Sequence, residues 1–253
     1  MSDDPREIQV PVGSGAVSAT LTVPPTPGAH DPDAPWATVL IAHGAGGGKD
    51  QPALVGLADA LADAGVASLR FNFPYREAGR KLPGTAQAAI DTWRAVVDWA
   101  RPELAGGPLI AAGRSYGARM ASMAAASDAG SAHTGGEGAG VTATSDSAPR
   151  LAVDGLAFLA YPLHPPGKPD QLRDAHLDQV PQPMLFLQGT TDPFAIPNAD
   201  LDRVVARLGD RATLEWVDRA NHSFEVAGQK REASVIGRDL APTLIEWMRR
   251  LHR

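Results

Sequence analysis

The stretch that decides the reading is LIAAGRSYGARMASMAAAS, residues 109–127. Its first half, LIAAGRS (109–115), is a short apolar run of the kind that forms a buried strand. Its second half, YGARMASMAAAS (116–127), spaces Met and Ala as a helix does. Between them lies Gly113-Arg114-Ser115-Tyr116-Gly117, a G-x-S-x-G pattern. A serine at a tight strand-to-helix turn holds its hydroxyl above the sheet, at a helix N-terminus where backbone amides and the helix dipole favour negative charge. A side chain two residues to either side would meet neighbouring backbone, which is why both positions are glycine. Five residues alone are a weak signal, and the competing reading is a capping serine at an ordinary turn. The strand before it and the helix after it favour Ser115 as a nucleophile.

Outward from this point, apolar runs and helical patterns alternate. Strand patterns occur at 37–44, 66–73, within 151–162, at 183–189 and at 212–220, and helical patterns at 52–65, 85–104, 198–209 and 231–253. The 198–209 helix is expected to carry an Asn198 cap and a Gly209 stop. The last helix should bend or start late near Pro242. Strands separated by helices imply a mostly parallel sheet covered on both faces. EIQVPVG and AVSATLTVP near the N-terminus have no helix between them, and the Ser14–Gly15 turn suits an antiparallel hairpin at the sheet edge. The expected architecture is a three-layer α/β/α sandwich on an eight-stranded sheet, with residues 1–253 as a single domain and no large cap. Residues 127–150, rich in Gly, Ser, Thr and Ala, read as a flexible low-complexity insertion.

The loop after the 37–44 strand, His43-Gly44-Ala45-Gly46-Gly47-Gly48, lets a backbone amide approach a substrate carbonyl. With the amide of Tyr116, that of Ala45 would hold a tetrahedral oxyanion. Lys49 followed by Asp50 departs from the phosphate-loop pattern, and the glycine spacing departs from the dinucleotide fingerprint. His43 reads as shaping this loop, with contact to substrate as a second role. Asp192, in FLQGTTDPF, stands just past one strand, and His222, in WVDRANHSFEV, just past the next. Sites in open parallel sheets gather at the carboxyl ends of strands. A serine hydroxyl needs a base to take its proton, a neutral histidine serves near pH 7, and a carboxylate fixes the tautomer. Asp192 before Pro193 also fits a turn, His222 also fits a surface loop, and Asp202 and Asp218 compete for the acid role from within a helix and a strand pattern. Arg76, Arg114, His164 and Lys168 are candidates for the rim of the site, favouring an anionic substrate; the competing reading is solvated surface charge.

Composition removes other chemistries. There is no cysteine, so disulfides, thiolate metal sites and a cysteine nucleophile are excluded. No H-x-x-x-H or H-E-x-x-H pair occurs, so no metal and no cofactor is expected. A net charge of −6 without a basic cluster argues against nucleic acid. The polar N-terminus and the lack of a long apolar run argue against a signal peptide and a membrane, giving a soluble, cytoplasmic expectation. The expected partner is a small ester-like molecule, and the oligomeric state is left open.

HGAGG, GRSYG, QGTTDPF and NHSF, in that order, resemble the α/β-hydrolase superfamily on its dienelactone-hydrolase-like side. FNFPYREAGRKLPG (71–84) and YPLHPPGKPDQLRDAHL (161–177) further resemble the KANSL/TEX-type α/β-hydrolase-like domain. The resemblance spans nearly all of the chain except 127–150. It implies Ser115 as nucleophile, Asp192 as acid, His222 as base, and Ala45 with Tyr116 as oxyanion donors. Ester, thioester or lactone hydrolysis is the implied activity. The alternative is a non-catalytic interaction module, as some eukaryotic relatives of this branch are subunits of chromatin complexes.

Overall fold

The computed structural model of the chain describes residues 5–24, 35–104, 106–126 and 151–251. The expected insertion at 127–150 lies outside them. Eight strands form one sheet: β1 (Arg6–Val12), β2 (Gly15–Thr22), β3 (Ala37–Ala42), β4 (Val66–Phe71), β5 (Leu109–Arg114), β6 (Gly155–Leu159), β7 (Met184–Gly189) and β8 (Ala212–Val217). Their order is β1-β2-β4-β3-β5-β6-β7-β8. From β4 to β8 every pairing is parallel, whereas β2 runs antiparallel to β4 and β1 antiparallel to β2. The N-terminal hairpin is therefore the antiparallel edge that the missing helix implied. β3, β4, β6 and β7 are buried along their whole length, which is why their sequences are continuous apolar runs rather than alternating ones.

Helices cover both faces. On one, α1 (Pro52–Asp63) and the closing helix α6 (Ala233–Leu251) bury Leu54, Leu57, Leu61, Leu244 and Met248 against β3, β5 and β7. On the other, α3 (Ala86–Glu103), α4 (Tyr116–Ala126) and α5 (Asn198–Leu208) bury Trp93, Val96, Met120, Leu201 and Val204. A single turn, α2 (Pro74–Glu77), follows β4.

Two expectations are corrected. α6 begins at Ala233 and runs through Pro242 instead of starting near it. Pro242 is exposed, as is Arg238 one turn earlier, so the carbonyl left without its amide partner faces water. This first part of α6 packs tightly on α1: a Cβ at Gly237 would strike the Ala53 carbonyl. In α5 the cap position is Pro197, without a side-chain cap. Asn198 instead donates from Nδ2 to Thr190 O (3.1 Å), drawing the helix onto the end of β7. Gly209 does end α5, at φ +62°. Among the described residues no helix is long and apolar enough to cross a membrane.

Candidate active site

β5 lies at the centre of the sheet and delivers Ser115 to its carboxyl edge. Ser115 takes φ +50°, a left-handed conformation that costs a non-glycine residue on the order of 1–3 kcal/mol. The surrounding bonds hold it there: its amide donates to Leu159 O (2.9 Å) and its carbonyl accepts the Arg119 amide (3.0 Å). The flanking glycines are sterically required. A Cβ at Gly113 would collide with the Ala118 amide, and one at Gly117 would lie 2.8 Å from the carbonyls of both Ala42 and His43. Trp93 Nε1 donates to Gly117 O (3.2 Å), fixing the turn from the helix side.

His222 sits in a loop braced by its own neighbours. Asn221 Oδ1 accepts the amides of Ser223 (2.8 Å) and Glu225 (3.1 Å), and Thr191 N donates to Ala220 O (2.9 Å), tying this loop to the one that carries Asp192. The result is a continuous contact. Ser115 Oγ lies 2.8 Å from His222 Nε2, and His222 Nδ1 lies 2.7 Å from Asp192 Oδ2. Asp192 is fully buried and can only accept when ionised, so Nδ1 carries the ring proton and Nε2 is left to accept from the serine. Two further donors reach the carboxylate: Gln188 Nε2 donates to Oδ2 (2.6 Å) and the Phe194 amide to Oδ1 (2.9 Å). The Phe194 ring stacks on the imidazole at 4.2 Å.

The glycine-rich loop passes directly over the serine. A Cβ at Gly44 would lie 3.6 Å from Ser115 Cβ, and Ala45, next in the chain, is exposed. Gly47 N closes the turn on Gly44 O (3.1 Å). Tyr116, the first residue of α4, has an amide with no acceptor inside the helix. Lys49 is committed away from the loop, donating to Thr20 Oγ1 (2.8 Å) and Glu7 Oε1 (3.0 Å).

His43 and the four residues expected at the rim take different positions. His43 is buried: Nδ1 donates to Gly44 O (2.8 Å), Nε2 accepts the Phe73 amide (3.2 Å), and burial pushes its pKa down to about 4. It shapes the loop and has no free polar atom for a substrate. His164 is also buried, with Nδ1 on Pro165 O (2.8 Å) and its amide on Phe194 O (3.1 Å), so it is not on an exposed rim. Arg114 reaches under the histidine loop, its Nη2 donating to Ser223 Oγ (2.9 Å) and His222 O (3.4 Å). Arg76 donates to Arg80 O (3.3 Å) and flanks Gly48, on a hollow of about 360 Å³ beside the loop. Lys168 is solvated. A larger hollow, about 740 Å³ between Thr191 and Arg231, lies behind the histidine loop and includes none of Ser115, His222 and Asp192. Among the described residues no cluster of His, Asp or Glu is arranged to hold a metal.

Gln188, Phe194, Asn221 and Ser223 belong to the site and are not singled out by sequence. Gln188 carries the one readable signal, a polar residue inside the apolar run PMLFLQG.

Comparison with known proteins agrees with this fold. The sequence profile of the Alpha/beta hydrolase domain matches residues 35–237. The fold is similar to that of an alpha-beta serine hydrolase homologue from Coxiella burnetii (20% identity, 98% of each chain, TM-score 0.66). It is similar to a dienelactone hydrolase from Anabaena variabilis (23% identity, 98% of this chain and 99% of that one, TM-score 0.67). A serine hydrolase without lid from Xanthomonas campestris is also similar (22% identity, 98% and 97%, TM-score 0.66).

Proposed function

The chain belongs to the alpha/beta hydrolase domain family, and from that premise we propose that it is a serine hydrolase cleaving small or medium esters, thioesters or lactones through an acyl-enzyme on Ser115. The observation that carries this reading is the unbroken Ser115–His222–Asp192 contact at 2.8 and 2.7 Å. In it, His222 Nε2 takes the proton as Ser115 Oγ bonds to the substrate carbonyl carbon, and the amides of Ala45 and Tyr116 hold the resulting oxyanion. The imidazolium, steadied by Asp192, then protonates the leaving alcohol or thiol as its bond to carbon breaks. Water enters, gives a proton to His222 and hydrolyses the acyl-serine, and the proton returns to Ser115. With a lactone the leaving group stays tethered to the product.

The openness of the edge supports the size class. The longest described connection there, between β6 and β7, carries only a 3-10 turn at Leu177–Gln179, and nothing on it forms a helical cap. Exposed Leu82, Leu172 and Ile196 stand on three loops of this same edge and offer apolar surface to an acyl or alcohol group. The narrower kinship with the KANSL/TEX-type branch rests on residues 71–84 and 161–177.

The test is labelling with a fluorophosphonate, followed by p-nitrophenyl esters of increasing chain length. Wild-type protein is expected to label and to turn over short esters, and Ser115→Ala to do neither. A folded wild type that takes no label would point instead to a non-catalytic interaction protein.

A further inference from the structure

The arginines expected at the rim are already engaged by the protein, but two others are not. Arg119, in the first turn of α4, is tied to Ser115, its amide donating to Ser115 O (3.0 Å). Positions 119 and 122, three apart, share a face of this helix. Ser122 Oγ on that face meets His176 Nε2 at 2.8 Å, so the face looks onto segment 161–177, which carries Arg173. A chain of contacts ties the two arginines together through their backbones. Ser122 Oγ donates to Arg119 O (2.8 Å), His176 Nε2 lies 3.5 Å from Tyr161 Oη, and Tyr161 Oη donates to Arg173 O (2.8 Å). The Arg173 amide in turn donates to Leu163 O (2.7 Å).

This scaffold holds two positive side chains near one another without an answering carboxylate. Neither guanidinium makes an ion pair among the described residues, and Arg119 Nε is buried with no hydrogen-bond partner. The nearby carboxylate, Asp174, is taken by Arg207 Nη2 at 2.9 Å. Burial, and then the charge of Arg119, hold the Arg173 pKa below its ordinary value. The same two causes push His176 down to about 4, so its ring is neutral and acidic relief is missing there too. A buried guanidinium N–H without an acceptor is costly, and paired guanidinium groups match the geometry of an oxyanion.

We propose that Arg119 and Arg173 bind an oxyanion carried by the substrate, a carboxylate or phosphate, so that anionic esters are preferred over neutral ones of equal size. This rests on the reading of Ser115 as nucleophile. It is tested at constant ionic strength with the p-nitrophenyl monoester of glutaric acid and its neutral methyl ester. Wild type is expected to favour the anionic ester at least tenfold in kcat/KM. Arg119→Gln and Arg173→Gln should each lower that ratio about 10- to 100-fold, with Arg119→Lys recovering part of it. A wild-type ratio near one, or a ratio that Arg119→Gln leaves in place, overturns the proposal.

Binding is read separately from turnover by the melting temperature of Ser115→Ala protein with glutarate or inorganic phosphate. Stabilisation by glutarate that disappears when Arg119→Gln is added supports the subsite, even if no ester is cleaved and no fluorophosphonate label is taken; that result would remove the hydrolase reading alone. Stabilisation by phosphate only, with no preference among esters, overturns the assignment to substrate and marks a site for free anions.

Discussion

Two serines, one just before α4 and one within it, meet a histidine nitrogen at 2.8 Å: Ser115 with His222, and Ser122 with His176. Distance does not separate them; what lies behind each ring and each hydroxyl does. The imidazole of His222 is backed by buried Asp192, which claims the Nδ1 proton and leaves Nε2 a free acceptor. Ser115 is held at φ +50° with its hydroxyl directed at that acceptor. Ser122 has already given its proton to Arg119 O, so the ring nitrogen of His176 must be the donor. The two pairs therefore hold opposite tautomers. In the proposed reaction the first moves a proton, and the other is a strut between a helix and the segment that crosses it.

Asp192→Asn attacks the first pair at its base. It keeps the shape, reverses the ring tautomer, and is expected to lower kcat about 10⁴-fold toward p-nitrophenyl esters while the melting temperature changes little. Retained turnover would mean that the carboxylate does not distinguish the pairs. Arg114→Gln removes the anchor at Ser223 Oγ and leaves the three chemical groups in place. A loss of about tenfold in kcat is expected, at unchanged KM, with partial recovery in Arg114→Lys; an equal loss for Lys and Gln would argue against a positioning role.

The strut should show itself in stability. His176 has a pKa of about 4 in the folded chain because of burial and the Arg119 charge, against an ordinary 6.5. An unfolded chain thus binds more protons between those values, and stability falls as pH drops from about 6.5 toward 4. Chemical denaturation at pH 7 and pH 5 should show a loss of roughly 1–3 kcal/mol from this group, and His176→Gln should flatten the difference. His43, also depressed to about 4 by burial, adds a slope of the same sign that the variant retains. Ser122→Ala is expected to cost about 1–2 kcal/mol and less than threefold in turnover of a neutral ester. A catalytic loss comparable to that of Ser115→Ala would erase the contrast.

The sequence makes the first pair legible and hides the second. Ser115, Asp192 and His222 each follow an apolar run, so their place at one sheet edge can be read from strand pattern alone. The glycines at 113 and 117 are readable for the same local reason. Gln188, Phe194 and Ser223 gain their meaning from loops that are distant in sequence and stitched together only in the fold. Arg114 looks like a surface charge until the histidine loop is laid over it. Arg119 sits in plain view in GRSYGAR, but its lack of an ion pair among the described residues shows only in the fold, where Asp174 pairs with Arg207, far along the chain. The sites of α6 and Asn198 fail for a related reason, because helix packing and the end of β7 override local capping preferences.

The connection between β6 and β7 has an implication for engineering. The reacting groups hang from strand ends inside the sheet, while Leu172 and Arg173 ride on a surface excursion fastened by a handful of hydrogen bonds. In the proposed subsite Arg173 therefore rides on a piece of chain other than the reacting groups, whereas Arg119 shares α4 with Tyr116. Transplanting the excursion's exposed stretch from another protein of this fold, with buried Tyr161, Leu163, His164 and Leu177 preserved, is expected to retune what is accepted.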